Sequence, residues 1–428
     1  MTSNQRVVVI GGGLAGLRLA ARLTGAAAVT VLGEEPHAPY NRVLLAEVLA
    51  GRYAPEVTAL PAPGPALRRG VRAVRIDRTD RTVLCDDGTV AEYDTLVLAT
   101  GSNAVLPPLR GLFEPEGREL PDGVHAFRTM DDCLALSAAV RPGVRAVVIG
   151  GGLLGVSAAR ALAARGAVVV LAQQGERLME RQLDAGASAL LATHLTDLGV
   201  EIHTECRVRG LEIQPLQGSR SGGPGAAPAA APRPGASAGP RKVTGVQLAD
   251  GYRLEADLVV LACGVRPRTG LAKAAGLDVR TGIVVDDHLR TSDPRIHAIG
   301  DCAEHAGQVY GLAGAALEQA DALAAVLTGT PAPYTGTRAL TRLTLGGAEN
   351  GSLDLAAFGE TTPRPGDDVV RLADATRGTY RKVVVRDDRL VGGVLLGELS
   401  TVGALARTWE GDESPHDLFH LLTDDGGH

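Results

Sequence analysis

Two glycine-rich stretches carry the residue types that bind phosphate groups. The first follows the apolar run Val7–Ile10, and its glycines Gly11, Gly13 and Gly16 precede an amphipathic pattern that continues to Leu23. This G-x-G-x-x-G spacing predicts a strand, a tight turn and a helix that together form a dinucleotide-binding loop. Free N–H groups at the start of the helix would bind the pyrophosphate.

The same pattern occurs a second time. Gly150, Gly152 and Gly155 each follow their counterparts by 139 residues. The next strand of such a unit ends in an acidic residue that binds ribose hydroxyls. Glu34 stands at that place in the first copy and Gln173 at the equivalent place in the second, each 23 residues after the first glycine of its loop. Two nucleotide sites in one chain predict two nucleotides that react with each other.

Composition excludes several classes of partner. The net charge of −6 disfavours nucleic acid, and no apolar run reaches the roughly 18 residues of a membrane span, so we expect neither partner. The five cysteines form no close pair, which disfavours a disulfide framework or a cysteine-bound metal and favours the cytoplasm.

The pattern of predicted strands and helices around these residues indicates an α/β protein. Strands alternate with helices around both loops, and a buried strand ends at Thr100 and Gly101, the edge of an open sheet where nucleotides lie. Residues 217–240 are rich in Gly, Pro, Ala and Ser, which predicts a disordered surface insertion rather than a functional linker. Arg42, near the first loop, is either a partner for a diphosphate or a surface arginine.

With both loops, Thr100-Gly101 and Ile299-Gly300-Asp301 in place, the chain resembles the pyridine nucleotide–disulfide reductase superfamily. It resembles the branch with NADH–rubredoxin reductases, ferredoxin reductases, the FAD/NADH half of assimilatory nitrite reductase and the electron-transfer subunit of assimilatory nitrate reductase. Within this branch, residues 34–45, 150–155 and 178–184 favour the members of nitrite and nitrate assimilation.

The resemblance implies two Rossmann-like dinucleotide-binding domains, with an FAD domain split by an inserted NAD domain, and a C-terminal α/β interface domain. The implied bounds are 1–118 and 266–330 for the FAD domain, 119–265 for the NAD(P)H domain and 331–428 for the interface domain.

The resemblance also implies contacts for individual residues. Those implied for FAD are Gly11, Gly13, Gly16, Glu34, Arg42, Ala73, Thr100, Gly101, Arg128, Asp301 and Ala313. Those implied for NAD(P)H are Gly150, Gly152, Gly155, Gln173 and Gly264.

The chain departs from its relatives at three places. Residues 42–50 contain no cysteine, which argues against thiol chemistry. A lysine and glutamate that flank the flavin in many relatives are replaced by Glu47 and Ser157, which we expect to share a hydrogen bond, and no catalytic side chain or metal is expected. Gln173 stands where relatives carry an acidic residue, so it lacks the charge that repels the 2′-phosphate of NADPH. Arg177 and Arg181 are close enough in sequence to affect the choice of cofactor. NADH is favoured, and NADPH stays the alternative.

The function implied is an FAD-dependent NAD(P)H oxidoreductase in which hydride passes between the cofactors. Its electrons would pass to a separate acceptor protein, a nitrate or nitrite reductase or a small iron–sulfur protein, in nitrate or nitrite assimilation. The alternatives are an NADH–rubredoxin or ferredoxin reductase, an NAD(P)H oxidase and, from another class, a non-catalytic flavin-bound scaffold or sensor. Some relatives dimerise through the C-terminal domain, so a homodimer is one of the arrangements considered.

Overall fold

The computed structural model describes residues 5–61, 64–114, 117, 119–215, 241–330, 333–346, 352–374 and 376–411. The insertion predicted at 217–240 and a short helix predicted at 417–422 lie outside the described residues.

Eight α-helices occur in these residues. They are α1 (Leu14–Arg22), α2 (Leu45–Leu49), α3 (Met130–Ala139), α4 (Leu153–Ala163), α5 (Ala185–Asp197), α6 (Gly270–Ala274), α7 (Ala313–Thr328) and α8 (Val402–Glu410). Short 3-10 turns cover Arg42–Leu44, Pro55–Thr58, Gly64–Ala66 and Gly300–Cys302.

The strands of the described residues are, in chain order, β1 (Arg6–Ile10), β2 (Ala28–Gly33), β3 (Leu67–Arg69), β4 (Ala73–Asp77), β5 (Thr82–Cys85), β6 (Val90–Glu92), β7 (Thr95–Leu98), β8 (Ser102–Ala104), β9 (Val124–Ala126), β10 (Arg145–Ile149), β11 (Val168–Ala172), β12 (Val200–His203), β13 (Val208–Pro215), β14 (Arg241–Leu248), β15 (Arg253–Glu255), β16 (Leu258–Leu261), β17 (Val265–Pro267), β18 (Ile283–Val285), β19 (Ile296–Ala298), β20 (Ala303–His305), β21 (Leu340–Gly346), β22 (Ser352–Gly359), β23 (Asp368–Asp374), β24 (Thr379–Arg386) and β25 (Arg389–Gly397).

Two parallel five-stranded sheets form the centres of the nucleotide folds. Their strand orders are β19-β7-β1-β2-β3 and β12-β11-β10-β16-β9. The registers of the second strands differ by one residue: Arg6 lies opposite Ala28, 22 residues later, whereas Arg145 lies opposite Val168, 23 residues later. By strand register Gln173 therefore matches Gly33, and Gln174 matches Glu34. The central strands read as continuous apolar runs because both faces of a parallel sheet are covered. The two-fold repeat predicted from the glycine spacing is therefore present in the fold.

The repeat extends to the amino ends of these sheets. Arg6 forms ion pairs with Glu92 and Asp94, and Arg145 forms the same two pairs with Glu255 and Asp257. These carboxylates stand just before the closing strands β7 and β16, and they are offset by 163 rather than 139 positions because the second copy has a longer connection before β16.

The remaining sheets are smaller or antiparallel. Three-stranded sheets join β4-β5-β6 and β13-β14-β15, and the last sheet has the order β21-β22-β25-β24-β23. In the sequence, Asp387 and Asp388 separate two apolar strand patterns, which predicts a hairpin turn. The turn is confirmed, since both residues have positive φ (49° and 57°), as a two-residue type I′ turn requires. Trp409 of α8 packs against Phe358 of this sheet, with ring centroids 5.1 Å apart.

Two helix starts differ from the sequence prediction. The helical spacing of residues 182–198 predicts a helix from Gln182. This helix begins at Ala185 instead, because the Asp184 side chain caps it by accepting from the Ala187 N–H at 3.0 Å. The helical stretch expected from Val43 opens as a 3-10 turn, whose Asn41 side chain accepts from the Val43 N–H.

The chain folds as two compact units. One contains the described residues within Met1–Asn103, Val265–Thr344 and Leu353–His428; the other contains those within Ala104–Gly264 and Leu345–Ser352. The first unit holds the first glycine loop and the second unit holds the second loop. The finer boundaries at 118, 265 and 330 stay predictions.

Candidate functional site: two nucleotide-binding loops

The first loop needs glycine at two positions for steric reasons. Gly11 has φ +125°, and a Cβ there would lie 2.0 Å from the Ala99 carbonyl oxygen. A Cβ at Gly16 would lie 2.1 Å from the Gly11 carbonyl oxygen. These two glycines therefore allow the turn and the close approach of α1 to the strand.

Gly13 has a different surrounding. It caps α1 with extended backbone angles (φ −85°, ψ −171°), and within the described residues no side chain bonds to this cap. A Cβ at Gly13 would meet no described atom within 4 Å. The space in front of the α1 N-terminus is thus open, and its backbone N–H groups are directed where a pyrophosphate would bind.

The second loop repeats this geometry closely. Gly150 has φ +111°, and a Cβ there would lie 2.5 Å from the Ala262 carbonyl oxygen. A Cβ at Gly155 would lie 1.7 Å from the Gly150 carbonyl oxygen, and at Gly152 it would meet no described atom within 4 Å. Gly152 caps α4 at φ −80° and ψ −175°, nearly the angles of Gly13. Both loops therefore fit a dinucleotide.

Acidic side chains follow β2 at the first loop. Glu34 pairs with Arg268, a residue that the sequence analysis did not single out. Its neighbour Glu35 pairs with Arg42 and accepts from the Tyr40 hydroxyl at 2.6 Å. Arg42 therefore lies at the end of β2 beside the loop, with a carboxylate among its partners.

Gln173 is the first residue after β11, as Glu34 is after β2, but the strand register matches Gln173 to Gly33 and corrects the equivalence predicted from residue counting. Its Oε1 atom accepts from the Gly151 N–H at 2.8 Å, so this oxygen faces its own glycine loop. The loop that follows contains Arg177, whose N–H donates to the Glu180 carboxylate at 3.1 Å.

The strand-end residues of the first unit lie together. The Thr100 hydroxyl donates to the Arg268 carbonyl at 2.8 Å, and the Ser102 hydroxyl donates to the Asp301 carboxylate at 2.8 Å. β7 and β19 are neighbours in a parallel sheet, so Thr100 and Asp301 follow adjacent strands at its carboxyl edge.

A side chain of α7 stabilises the Gly300–Asp301 turn. The buried Gln319 accepts from the Gly300 N–H at 2.7 Å and donates to the Tyr334 hydroxyl at 3.3 Å. Ala313, predicted to precede this helix, is its first residue. Gln319 carried no signal in the sequence, because a glutamine on a helix is usually solvated.

Other candidate residues have local partners. Ala73 begins β4, opposite Cys85. The Arg128 N–H donates to the Asp132 carboxylate at 3.0 Å, next to a capping box formed by Thr129 and Asp132.

The two residues that replace the relatives' charged pair also have partners close in sequence. The Ser157 hydroxyl donates to the Leu153 carbonyl at 2.8 Å, and Glu47 pairs with Arg52 at 3.2 Å. The hydrogen bond expected between Glu47 and Ser157 stays a prediction.

Thiols near the strand ends are held in the protonated form. Burial raises the pKa of Cys263, next to Gly264, to about 11. Burial also raises the pKa of Cys302, which lies directly after Asp301. Since the thiolate is the reactive form, neither side chain is poised for nucleophilic chemistry. All five cysteines are free thiols.

A groove of about 550 Å³ lies away from both loops. It is lined by Arg75, Ile76, Asp77, Arg78, Thr79, Ala274, Ala275 and Asp293. Asp293 precedes β19, so the groove lies at the amino edge of the first sheet, whereas nucleotides bind at the carboxyl edge. Across the part of the chain that the structure describes, no helix has the length and apolar character of a membrane span.

Comparison with known proteins gives the same assignment. The pyridine nucleotide-disulphide oxidoreductase family matches residues 5–320, and the rubredoxin NAD+ reductase C-terminal domain matches residues 351–410. The nitrite reductase [NAD(P)H] of Bacillus subtilis (strain 168) is 33% identical over 92% of this chain and 46% of its own length. The assimilatory nitrate reductase electron transfer subunit of the same organism is 32% identical over 92% of this chain and 48% of its own length.

The chain thus spans about half the length of these curated relatives. It matches a solved structure end to end: the ferredoxin reductase of Rhodopseudomonas palustris has a TM-score of 0.79 and 28% identity, covering 98% of this chain and 100% of that chain. The matches confirm the superfamily and the fold predicted from the two loops. The chain belongs to the pyridine nucleotide-disulphide oxidoreductase family.

Proposed function

We propose that this protein takes electrons from NAD(P)H through FAD and passes them to a separate acceptor protein in nitrate or nitrite assimilation. The observation that carries the proposal is the pair of glycine loops with the same steric demands and the same open cap, at Gly13 and at Gly152. Similarity to a nitrite reductase and to a nitrate reductase electron transfer subunit supports the choice of acceptor.

In this proposal the first unit holds FAD. The N-terminus of α1 binds the pyrophosphate, Glu34 binds the adenosine ribose, and Asp301 and Thr100 border the flavin end. The first turn of α7 directs its N–H groups toward the flavin, which favours negative charge there by about 0.3–1 kcal/mol. Arg42 would lie beside the pyrophosphate. Ala73 stays a contact predicted from the sequence, and so does Arg128, which belongs to the second unit.

The second unit holds the nicotinamide dinucleotide at the N-terminus of α4. Gln173 lies at the ribose and Gly264 at the nicotinamide end. When bound, the two cofactors supply hydride transfer and electron storage, and the protein positions them. No side chain has to supply a proton for the hydride transfer itself.

We place this activity in a reducing compartment, the cytoplasm, because the five free thiols would be at risk of oxidation elsewhere. A second candidate is a ferredoxin or rubredoxin reductase. It is favoured by the end-to-end match to a ferredoxin reductase and by the rubredoxin NAD+ reductase C-terminal domain at residues 351–410.

The proposal is tested in two stages. The purified protein is titrated anaerobically with NADH and with NADPH while the flavin absorbance is recorded, and turnover is then measured with ferricyanide. Bleaching and steady turnover are expected; a flavin that is not bleached would leave a scaffold or sensor as the function.

The second stage compares acceptors. The reduced protein is mixed with the nitrate or nitrite reductase catalytic component of its own organism, with a ferredoxin, with a rubredoxin and with oxygen. Fastest reoxidation by the nitrate or nitrite component supports the proposal. Fastest reoxidation by a ferredoxin or rubredoxin selects the second candidate, and fastest reoxidation by oxygen selects an oxidase.

A further inference from the structure

Arg268 forms an ion pair with Glu34 across 234 residues of sequence. Glu34 directly follows β2, where a dinucleotide fold binds the ribose hydroxyls. Arg268 belongs to neither glycine loop and follows β17, the strand through which the chain returns to the first unit.

The main chain of Arg268 is fixed independently of its side chain. Its N–H donates to the Gly101 carbonyl at 2.9 Å, and its carbonyl accepts from the Thr100 hydroxyl at 2.8 Å. Two hydrogen bonds therefore fix the backbone that carries the guanidinium to the loop that follows β7 in the first nucleotide fold. Replacing the side chain removes the ion pair and leaves both of these backbone bonds.

The second copy of the fold offers an internal comparison. The Val105 N–H donates to the Gly264 carbonyl at 2.9 Å, which matches the bond between Arg268 and Gly101. Gly101 and Gly264 each stand third after the closing strand of their sheet. Val105 thus takes the place of Arg268 in the second copy, where the residue that matches Glu34 by strand register is the uncharged Gln174. The charged pair belongs to the first site and is not a requirement of the repeated fold.

We propose that Arg268 is a positioning residue for FAD, which holds the Glu34 carboxylate against the hydroxyls of the adenosine ribose. This deepens the proposed function and rests on its assignment of FAD to the first loop. A carboxylate has about four acceptor sites, enough for one guanidinium and two hydroxyls. The side chains are 38% and 40% exposed, so the effect of the pair is that of a solvated ion pair.

The test uses a difference between two flavins. FMN has the flavin and a phosphate but lacks the adenosine ribose. Full-length protein freed of its flavin is titrated with FAD and with FMN. Arg268→Ala is expected to raise the Kd for FAD about threefold to fivefold, the size of an exposed charge pair, and to leave the Kd for FMN unchanged. Arg268→Lys keeps the charge and should recover most of the affinity for FAD.

Two controls make the result specific. Arg266→Ala removes an equal charge from an exposed position two residues earlier, and it should change neither Kd. In a Glu34→Gln background, Arg268→Ala should have no further effect on FAD, because its partner is already lost. This cycle decides the question even where FMN binds too weakly for comparison.

Equal losses for FAD and FMN, or a full additional loss in the Glu34→Gln background, would show that Arg268 acts on the fold and would overturn the inference. An unchanged Kd for FAD in Arg268→Ala would also overturn it, while tight binding of FAD by the unaltered protein would leave the proposed function standing. Failure of the unaltered protein to bind FAD would refute the proposed function itself.

Discussion

The Oε1 atom of Gln173 accepts a hydrogen bond from the Gly151 N–H at 2.8 Å. This bond ties the end of β11 to the second glycine loop and fixes which side of the amide faces the loop. The Nε2 group is the remaining donor of the side chain, and a donor attracts ribose hydroxyls and a 2′-phosphate alike.

Gln173→Glu should therefore sharpen the preference for NADH. A carboxylate keeps an acceptor for the Gly151 N–H and adds a charge that repels a 2′-phosphate. We expect the ratio of kcat/KM for NADH over NADPH to rise about tenfold, which corresponds to 1.4 kcal/mol. Gln174→Glu, at the exposed neighbouring position, is the matched control. A ratio that changes equally in both variants would contradict the assignment of Gln173 to the ribose.

Replacing Gly16 and replacing Gly13 by alanine should have different effects on stability and on FAD binding. In Gly16→Ala the new methyl group would lie 2.1 Å from the Gly11 carbonyl oxygen, so we expect the free energy of unfolding to fall by about 2–3 kcal/mol. Gly13→Ala meets no described atom within 4 Å and should unfold like the parent, yet retain less FAD. Urea unfolding of flavin-free protein separates the effects, since bound ligand itself stabilises. Normal stability of Gly16→Ala would contradict the loop geometry.

Gln319 should be required for the Gly300–Asp301 turn. Gln319→Leu leaves the Gly300 N–H without its acceptor, which costs about 1–3 kcal/mol when the group is buried. The variant should also release FAD faster, because Asp301 follows the loosened turn. FAD release from Gln319→Leu at the parental rate would show that the turn does not depend on this bond.

His297 in β19 should make stability fall in weak acid. Burial lowers its pKa to about 4, whereas an unfolded histidine titrates near 6.5. Its contribution is therefore fully present above pH 6.5 and is lost as the pH falls toward 4, by up to about 3 kcal/mol. Urea unfolding at several pH values gives the free energy of unfolding as a function of pH. Between pH 6.5 and 4 this free energy should fall less steeply in His297→Gln than in the parent protein. Equal slopes would contradict a neutral buried imidazole.

Asp321 should make stability depend on pH in a more acidic range than His297 does. Hydrogen bonds from Arg18 and Arg22 lower its pKa to about 2, and they join α7 to α1, the helix of the first loop. The carboxylate stabilises the fold above its unfolded pKa near 3.8, and this is lost as the pH falls toward 2. The side chain is 36% exposed, so we expect Asp321→Asn to cost only about 1 kcal/mol at pH 7. A cost at pH 7 that does not shrink below pH 4 would point to packing rather than charge.

The glycine loops could be predicted because their signal is local. Spacing, an apolar strand and a helical pattern fall within about 20 residues, and each steric demand arises inside that unit or from the strand beside it. The hairpin at Asp387 and Asp388 could be predicted for the same reason, because its signal is also local.

Arg268, Glu35 and Gln319 were missed because their contacts are long-range or their chemistry is ordinary. Arg268 and Glu34 are 234 positions apart, and nothing near Arg268 marks it as a partner. The paired arginines Arg6 and Arg145 became recognisable as a repeat only when the closing strands showed where their carboxylates lie.

We propose that one chain holds FAD at the first loop and NAD(P)H at the second. Anaerobic NADH titration of Gly152→Ala beside the parent protein, with flavin absorbance as the readout, separates the two sites. The variant should keep its FAD, should still be bleached by dithionite, and should need about tenfold more NADH than the parent. Loss of FAD from Gly152→Ala, or bleaching at the parental NADH concentration, would contradict this proposal.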